Sequence, residues 1–128
     1  VNRSEYEENL STICKKYKLG VIPYSPLGGG FLTGKYHTNK PLPKSVRANK
    51  TQKYMTDKNF LLVNLLESLA KTRNKSISQI ALGWLSSQHE ITAPIIGPRT
   101  IAQLHDNLGS VEIKLTNLEL EKIDKAST

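Results

Sequence analysis

Two short segments, residues 21–24 and 93–96, are apolar throughout and do not alternate. That is the pattern of parallel strands covered on both faces. Two helical patterns lie between them, so the connection is a crossover and the two strands are expected to run parallel. Two parallel strands by themselves leave both faces and both edges uncovered. Pro23 and Pro94 each remove a ladder donor as well. The chain therefore reads as part of a larger α/β sheet whose other strands lie outside its 128 residues.

Five helices carry the same start signal, a Ser, Thr or Asp ahead of an apolar-periodic run. Ser4-x-x-Glu7 reads as a capping box. It opens a helix with Tyr6, Leu10, Ile13, Cys14 and Tyr17 on one face, closed by Gly20. Asp57 is placed to cap a second helix over 57–73, with Leu62, Leu65, Leu66 and Leu69 at helical spacing. Ser76-x-x-Gln79 opens a third over 76–88, with Ile77, Ile80, Ala81, Trp84 and Leu85 on one stripe. Thr100-x-x-Gln103 opens a fourth, closed by Gly109, and Thr116-x-x-Glu119 a fifth over 116–126, with Leu120 and Ile123 inward. Trp84 and the leucine stripes are read as core.

One ordinary domain is the most that this length and 38% apolar content support. The single Cys14 excludes an internal disulfide and is expected to be a buried thiol on the apolar side of its helix. No run approaches the roughly 20 apolar residues of a membrane span and no signal peptide is visible, so a cytoplasmic protein is expected. Net charge is +7, and the excess concentrates between Lys35 and Lys58, where seven basic residues face Asp57 alone. Aromatic platforms and DNA-binding motifs are lacking, so no nucleic-acid partner is expected. A solvated basic loop accounts for most of these lysines.

The first apolar segment runs straight into Ser25-Pro26-Leu27-Gly28-Gly29-Gly30-Phe31-Leu32-Thr33-Gly34-Lys35-Tyr36. Glycines let backbone N–H groups approach an anion, and Lys35 adds a charge. A flexible surface turn fits the same residues. Gly29-x-x-x-x-Gly34-Lys35 also fits most of a Walker A loop, but Tyr36 stands where a Mg²⁺-binding hydroxyl is needed. Pro41 and Pro43 oppose the helix that should follow at once.

Taken together, three blocks resemble the carboxy-terminal part of an aldo-keto reductase. They are residues 22–36, Ala81-Leu82-Gly83-Trp84-Leu85, and Pro94-Ile95-Ile96-Gly97-Pro98-Arg99-Thr100 followed by Gln103-Leu104-x-x-Asn107-Leu108-Gly109. Their order and spacing are those of the family over almost the whole chain, and they look closest to the branch of potassium-channel β-subunits and bacterial general reductases. The resemblance implies the C-terminal portion of a (β/α)8 TIM barrel, about two βα units plus flanking helices, with the N-terminal units missing. Residues 21–24 would be the seventh strand, 93–96 the eighth, and 116–126 an extra C-terminal helix.

The resemblance also implies a site for NADP(H). Tyr24 matches the aromatic that stacks on the nicotinamide. Ser25, Pro26, Leu27, Gly28 and Gly29 match the loop that wraps the pyrophosphate. Lys35 matches a basic residue of that loop, and Arg47 an arginine closing over the adenosine end, with a solvated charge as its alternative. Gly97, Arg99, Gln103, Asp106 and Asn107 match the adenine and 2′-phosphate site. Arg99 replaces a small hydroxyl common in the nearest branch, which implies preference for NADP over NAD.

The family's catalytic Asp, Tyr, Lys and His belong to earlier units, and none of their motifs occurs here. The implied function is NADPH-dependent reduction of a small-molecule aldehyde or ketone by the parent protein, this chain alone being inactive. A regulatory subunit that senses NADP(H) is the alternative, and a P-loop hydrolase a more distant one.

Overall fold

In the computed structural model, which describes residues 3–38, 41–43 and 48–128, the helix starts follow the capping chemistry closely. Thr56, Ser76, Thr100 and Thr116 each hold extended backbone, and each side chain accepts a hydrogen bond from the N–H three residues on. That satisfies one of the donors a helix start leaves unpaired. At Ser76 and Thr116 the bond is reciprocated, with Gln79 and Glu119 reaching back to the cap N–H. Thr56, not Asp57, is the cap of its helix; Asp57 is the first helical residue and favours the positive end of the helix dipole.

The described elements run in the order of a π-helical turn Tyr6–Leu10, α1 (Ser11–Tyr17), a kinked 3₁₀ segment Gly28–Thr33, α2 (Ala48–Thr51), a 3₁₀ turn Gln52–Tyr54 and α3 (Asp57–Arg73). Then come α4 (Ile77–Ser86), α5 (Ile101–Leu108), a 3₁₀ turn Gly109–Glu112 and α6 (Asn117–Ser127). Gly109 does not stop α5 in a left-handed cap; its φ is −60° and the chain continues into that turn.

The core forms where α3 packs on α4 and α6. Leu62, Val63, Leu66 and Ala70 of α3 meet Ile80 and Ala81 of α4, Ile123 of α6, and Phe31, Leu32 and Tyr36 of the glycine-rich segment. Burying the leucine, valine, isoleucine and phenylalanine side chains stabilises by roughly 1.5–3 kcal/mol each. Trp84 is half-buried; its ring carries the Arg3 guanidinium at 5.1 Å, and its Nε1–H donates to Asp124 at 3.2 Å. Two glycines are holes for side chains. A Cβ on Gly34 would lie 2.3 Å from Ile77 Cδ1, and one on Gly83 would lie 2.6 Å from Ile113.

Residues 21–24 and 91–95 pair in parallel, as expected, but they do not form strands. The pairing reduces to two isolated bridges, Val21 with Ile91 and Tyr24 with Ile95. These bridges are three residues apart on one segment and four on the other, so the register slips between them. Pro23 and Pro94 cannot donate, and the described residues supply no third strand to regularise the pair. Of the roughly two βα units expected from sequence, the described residues therefore show the helices and two bridges but no strand.

The N-terminal helix departs most from expectation. Ser4 makes no cap; the backbone is already helical at Glu5, and Arg3 pairs instead with Glu7. Leu10, Ile13 and Tyr17 are about half exposed and Cys14 only half-buried, because nothing among the described residues covers that face. The helix is held by polar contacts instead. Glu90 accepts from Tyr6 Oη at 2.9 Å, Ser11 Oγ at 2.8 Å and Lys15 Nζ at 2.6 Å. Arg3 donates to Asp124 at 3.1 Å and Ser127 at 2.8 Å.

The helix ends at Lys18, not Gly20. Lys18 sits in the left-handed region at φ 52°, where an L side chain costs roughly 1–2 kcal/mol and glycine is at ease. Glycine loses more freedom on folding, so Lys18→Gly is expected to stabilise α1 by about 0.5–1 kcal/mol net. Slower amide exchange at Lys15–Tyr17 would report it; unchanged exchange would show that the cap conformation carries no strain.

Two carboxylates are expected to make the fold acid-sensitive. Lys15, then Ser11 and Tyr6, hold Glu90 down to about 2. Glu119 is likewise held to about 2, first by Arg73, whose Nε and NH2 donate to its two oxygens at 2.9 and 2.5 Å. Both groups are bound as anions in the folded state. Their contribution is therefore present above the ordinary carboxylate value of 4.5 and is lost as pH falls from there towards 2. Thermal midpoints by circular dichroism should drop through that window, and less steeply in Arg73→Gln. An identical acid profile in that variant would remove the Arg73–Glu119 fork as a cause.

Candidate cofactor cleft

Past Tyr24 and Ile95, the two paired segments diverge and open a cleft of about 470 Å³. It lies beyond the carboxyl ends of the parallel pair, the place where ligands enter α/β folds.

One wall is the segment from Tyr24 to Lys35. Tyr24 is 81% exposed at the mouth, so it is not the core tyrosine that its apolar neighbours allow. Ser25 takes the left-handed conformation at φ 53°, and its carbonyl accepts from Gly28 N–H at 2.9 Å. Gly28, Gly29 and Gly30 follow with φ of 57°, 67° and 101°, a run only glycines adopt without strain. Leu27 carbonyl accepts from both Gly30 and Leu32 N–H. Phe31, fully buried against Tyr36, Tyr54 and Phe60, anchors the far end of the loop. Tyr36 is thus a core residue, and residues 36–38 and 41–43 are irregular rather than helical. A P-loop is excluded on both counts.

The facing wall is Gly97, Pro98 and Arg99 with the first two turns of α5. Thr100 caps the helix, while Gln103 Oε1 accepts from Arg99 N–H at 2.8 Å rather than from Thr100. Gln103 therefore stiffens the Arg99 backbone and leaves the guanidinium exposed. Lys35 on one wall and Arg99 on the other outnumber Asp106, the only acid among the described residues that line the cleft. Asp106 is half-buried and Asn107 buried.

Of the residues expected from sequence, Tyr24, Ser25, Pro26, Leu27, Gly29 and Lys35 line the cleft with Gly97, Arg99, Gln103, Asp106 and Asn107. Gly28 does not. It is buried and turns towards a second, larger cavity of about 1050 Å³ beside Val21, Leu62 and Leu66, because the tight turn at Ser25 points it inward. Arg47 lies outside the described residues. Gly30, Thr33, Ser78, Ile95, Ile96, Pro98 and Ala102 also line the cleft, though none was assigned to the site. Gly30 and Ala102 were within reach, one continuing the glycine run and the other one turn before Asp106. Ser78 carried no signal, because it arrives from α4 through tertiary packing alone. Among the described residues, no group of three metal-binding side chains occurs, and no helix is long and apolar enough to cross a membrane.

The model of the Aldo/keto reductase family matches residues 1–128. The chain belongs to the aldo-keto reductase family. Among curated relatives, it is 36% identical over 124 residues to a probable aldo-keto reductase of Glycine max, covering 95% of this chain and 36% of that protein. It is 31% identical to a Schizosaccharomyces pombe aldo-keto reductase named for NADP(+), covering 88% and 34%. It is 30% identical to the L-glyceraldehyde 3-phosphate reductase of Escherichia coli K12, covering 98% and 38%. Among solved structures, a glycerol dehydrogenase of Gluconobacter oxydans superposes with a TM-score of 0.77 at 27% identity, over 95% of this chain and 38% of that one. The chain spans little more than a third of the length of these relatives, and its fold is a portion of theirs.

Proposed function

We propose that this chain is the C-terminal, cofactor-holding part of an NADPH-dependent aldo-keto reductase whose complete barrel reduces an aldehyde or ketone. The observation that carries the reading is the cleft. Two segments some seventy residues apart in sequence, each expected to hold one half of a dinucleotide, face each other across one cavity with a cation on either side. The names of the fission-yeast and E. coli relatives, one marked for NADP(+) and one for a sugar-phosphate aldehyde, agree with it.

The residues fit the group. When bound, the dinucleotide supplies a hydride from its nicotinamide. Tyr24, exposed at the mouth, offers a flat face for that ring. The Ser25–Gly29 turn presents backbone where a Cβ would crowd the approach, and Lys35 brings charge beside Gly30. Gly97 has open space within 4 Å of where its Cβ would stand, and Arg99 with the α5 start suits a 2′-phosphate. Gln103, Asp106 and Asn107 are placed for the adenine. Residues for proton donation to the carbonyl belong to units outside this chain, so the chain binds without turning over. A cytoplasmic setting is part of the same reading.

Titration of the isotope-labelled chain with NADP(+) tests this. Amide shifts are expected on both walls, at 24–35 and at 97–107. Shifts confined to one wall, or none, would defeat the reading. NADPH oxidation with a panel of aldehydes, in a preparation free of host reductases, would show that the chain holds a proton donor after all.

A further inference from the structure

The capping box of α4 does more than start a helix. Ser76 Oγ accepts from Gln79 N–H and donates to Asp106 Oδ2 at 2.8 Å. Gln79 Oε1 accepts from Ser76 N–H, and its Nε2 donates to the Asp106 carbonyl at 2.8 Å. Both residues of the box thus direct a further hydrogen bond to one residue of α5. Gly109 makes this possible: a Cβ there would lie 2.3 Å from Gln79 Nε2, although its φ of −60° needs no glycine. The glycine marks the passage of the Gln79 amide.

We propose that the Ser76–Gln79 box is a positioning clamp that fixes Asp106, and with it the second turn of α5, for recognition of an adenosine moiety. The proposal rests on the reading of the cleft as a dinucleotide site. Ser76 and Gln79 touch no ligand. They act through Asp106, gripping its side chain and backbone together, so that α5 is held by the same hydrogen bonds that begin α4. The clamp couples the helix carrying the site to the helix that anchors the core, through Ile80 and Ala81.

Two substitutions separate the clamp from the cap. Gln79→Glu keeps an acceptor for Ser76 N–H, the commoner form of the box, but has no donor for the Asp106 carbonyl. Gly109→Ala pushes the flexible end of Gln79 aside and adds a better helix former. Ser76→Thr keeps cap and clamp, and serves as the conservative control. Binding of 2′,5′-ADP is measured by calorimetry, with amide exchange on the unliganded chain and thermal midpoints alongside. Gln79→Glu and Gly109→Ala are expected to lose about tenfold in affinity, the loss of one to two hydrogen bonds. Exchange at Asp106 and Asn107 should quicken, midpoints should stay close to wild type, and Ser76→Thr should bind normally. Wild-type affinity in both variants overturns the clamp and leaves the cleft reading intact. Failure of the wild-type chain to bind 2′,5′-ADP, with exchange at α5 still quickened in the variants, overturns the cleft reading and reduces the box to a fold contact.

Discussion

Arg99→Ala is expected to weaken binding of 2′,5′-ADP by about one to two decades while leaving 5′-ADP nearly untouched. Arg99 stands immediately before the α5 cap Thr100, where unpaired helix N–H groups already favour an anion. Its backbone is pinned by Gln103 at 2.8 Å, so the side chain starts from a fixed base. A guanidinium–phosphate contact is charge-assisted and two-pronged. Losing a charged hydrogen-bond partner costs roughly 1.5–3 kcal/mol, which converts to that range of affinity. The ligand without a 2′-phosphate has no such contact to lose. Calorimetric titration of both ligands against both proteins measures the difference. Equal weakening would place Arg99 on the adenine or in the fold, and the 2′-phosphate assignment would fail.

The second large effect concerns the chain's own association. Leu10, Ile13 and Tyr17 lie open on the N-terminal flank, and Ile101, Leu108 and Val111 on the α5 flank. Ile22 and Ile95 are exposed along the paired segments. Exposed apolar side chains in this number favour contact with other protein, and the two bridged segments, with no further strand beside them among the described residues, add backbone donors and acceptors. Sedimentation velocity across the micromolar range is expected to show concentration-dependent association. Introducing Ile101→Lys with Leu108→Lys should shift the distribution towards monomer. A single monomeric species for the unaltered chain at every concentration would mean these faces are satisfied as they stand.

How much of this was legible in the sequence follows the range of the forces. Local chemistry read well: the start signals at Ser76 and Thr116 are complete capping boxes, and the glycine run marks the segment whose backbone takes positive φ. Positions fixed by packing read less well. Ser4 matched a capping pattern, but Arg3 outcompetes it by engaging Glu7, Asp124 and Ser127 from both ends of the chain. Cys14 sits on an apolar stripe that nothing among the described residues covers, so periodicity promised a burial that they do not deliver. The strand segments failed for the same reason, since a ladder needs neighbours. Most residues that the family resemblance assigned to the cofactor line the cleft because its two walls are continuous segments of sequence, whereas Gly28 turns away from it, and Ser78 and the Gln79–Asp106 bond arise only when α4 meets α5.

Gly83 has a consequence for how the sequence can drift. Ile113 fills the space where a side chain at 83 would stand, 2.6 Å from its Cβ position. Neither residue is free to change alone: a methyl group at 83 strikes a branched carbon that cannot swing away, and a smaller residue at 113 leaves a void against α4. The two positions therefore share one allowance of volume. Across related proteins, a larger residue at the first should coincide with a smaller one at the second, and the paired exchange Gly83→Ala with Ile113→Ala should cost less than the sum of its parts.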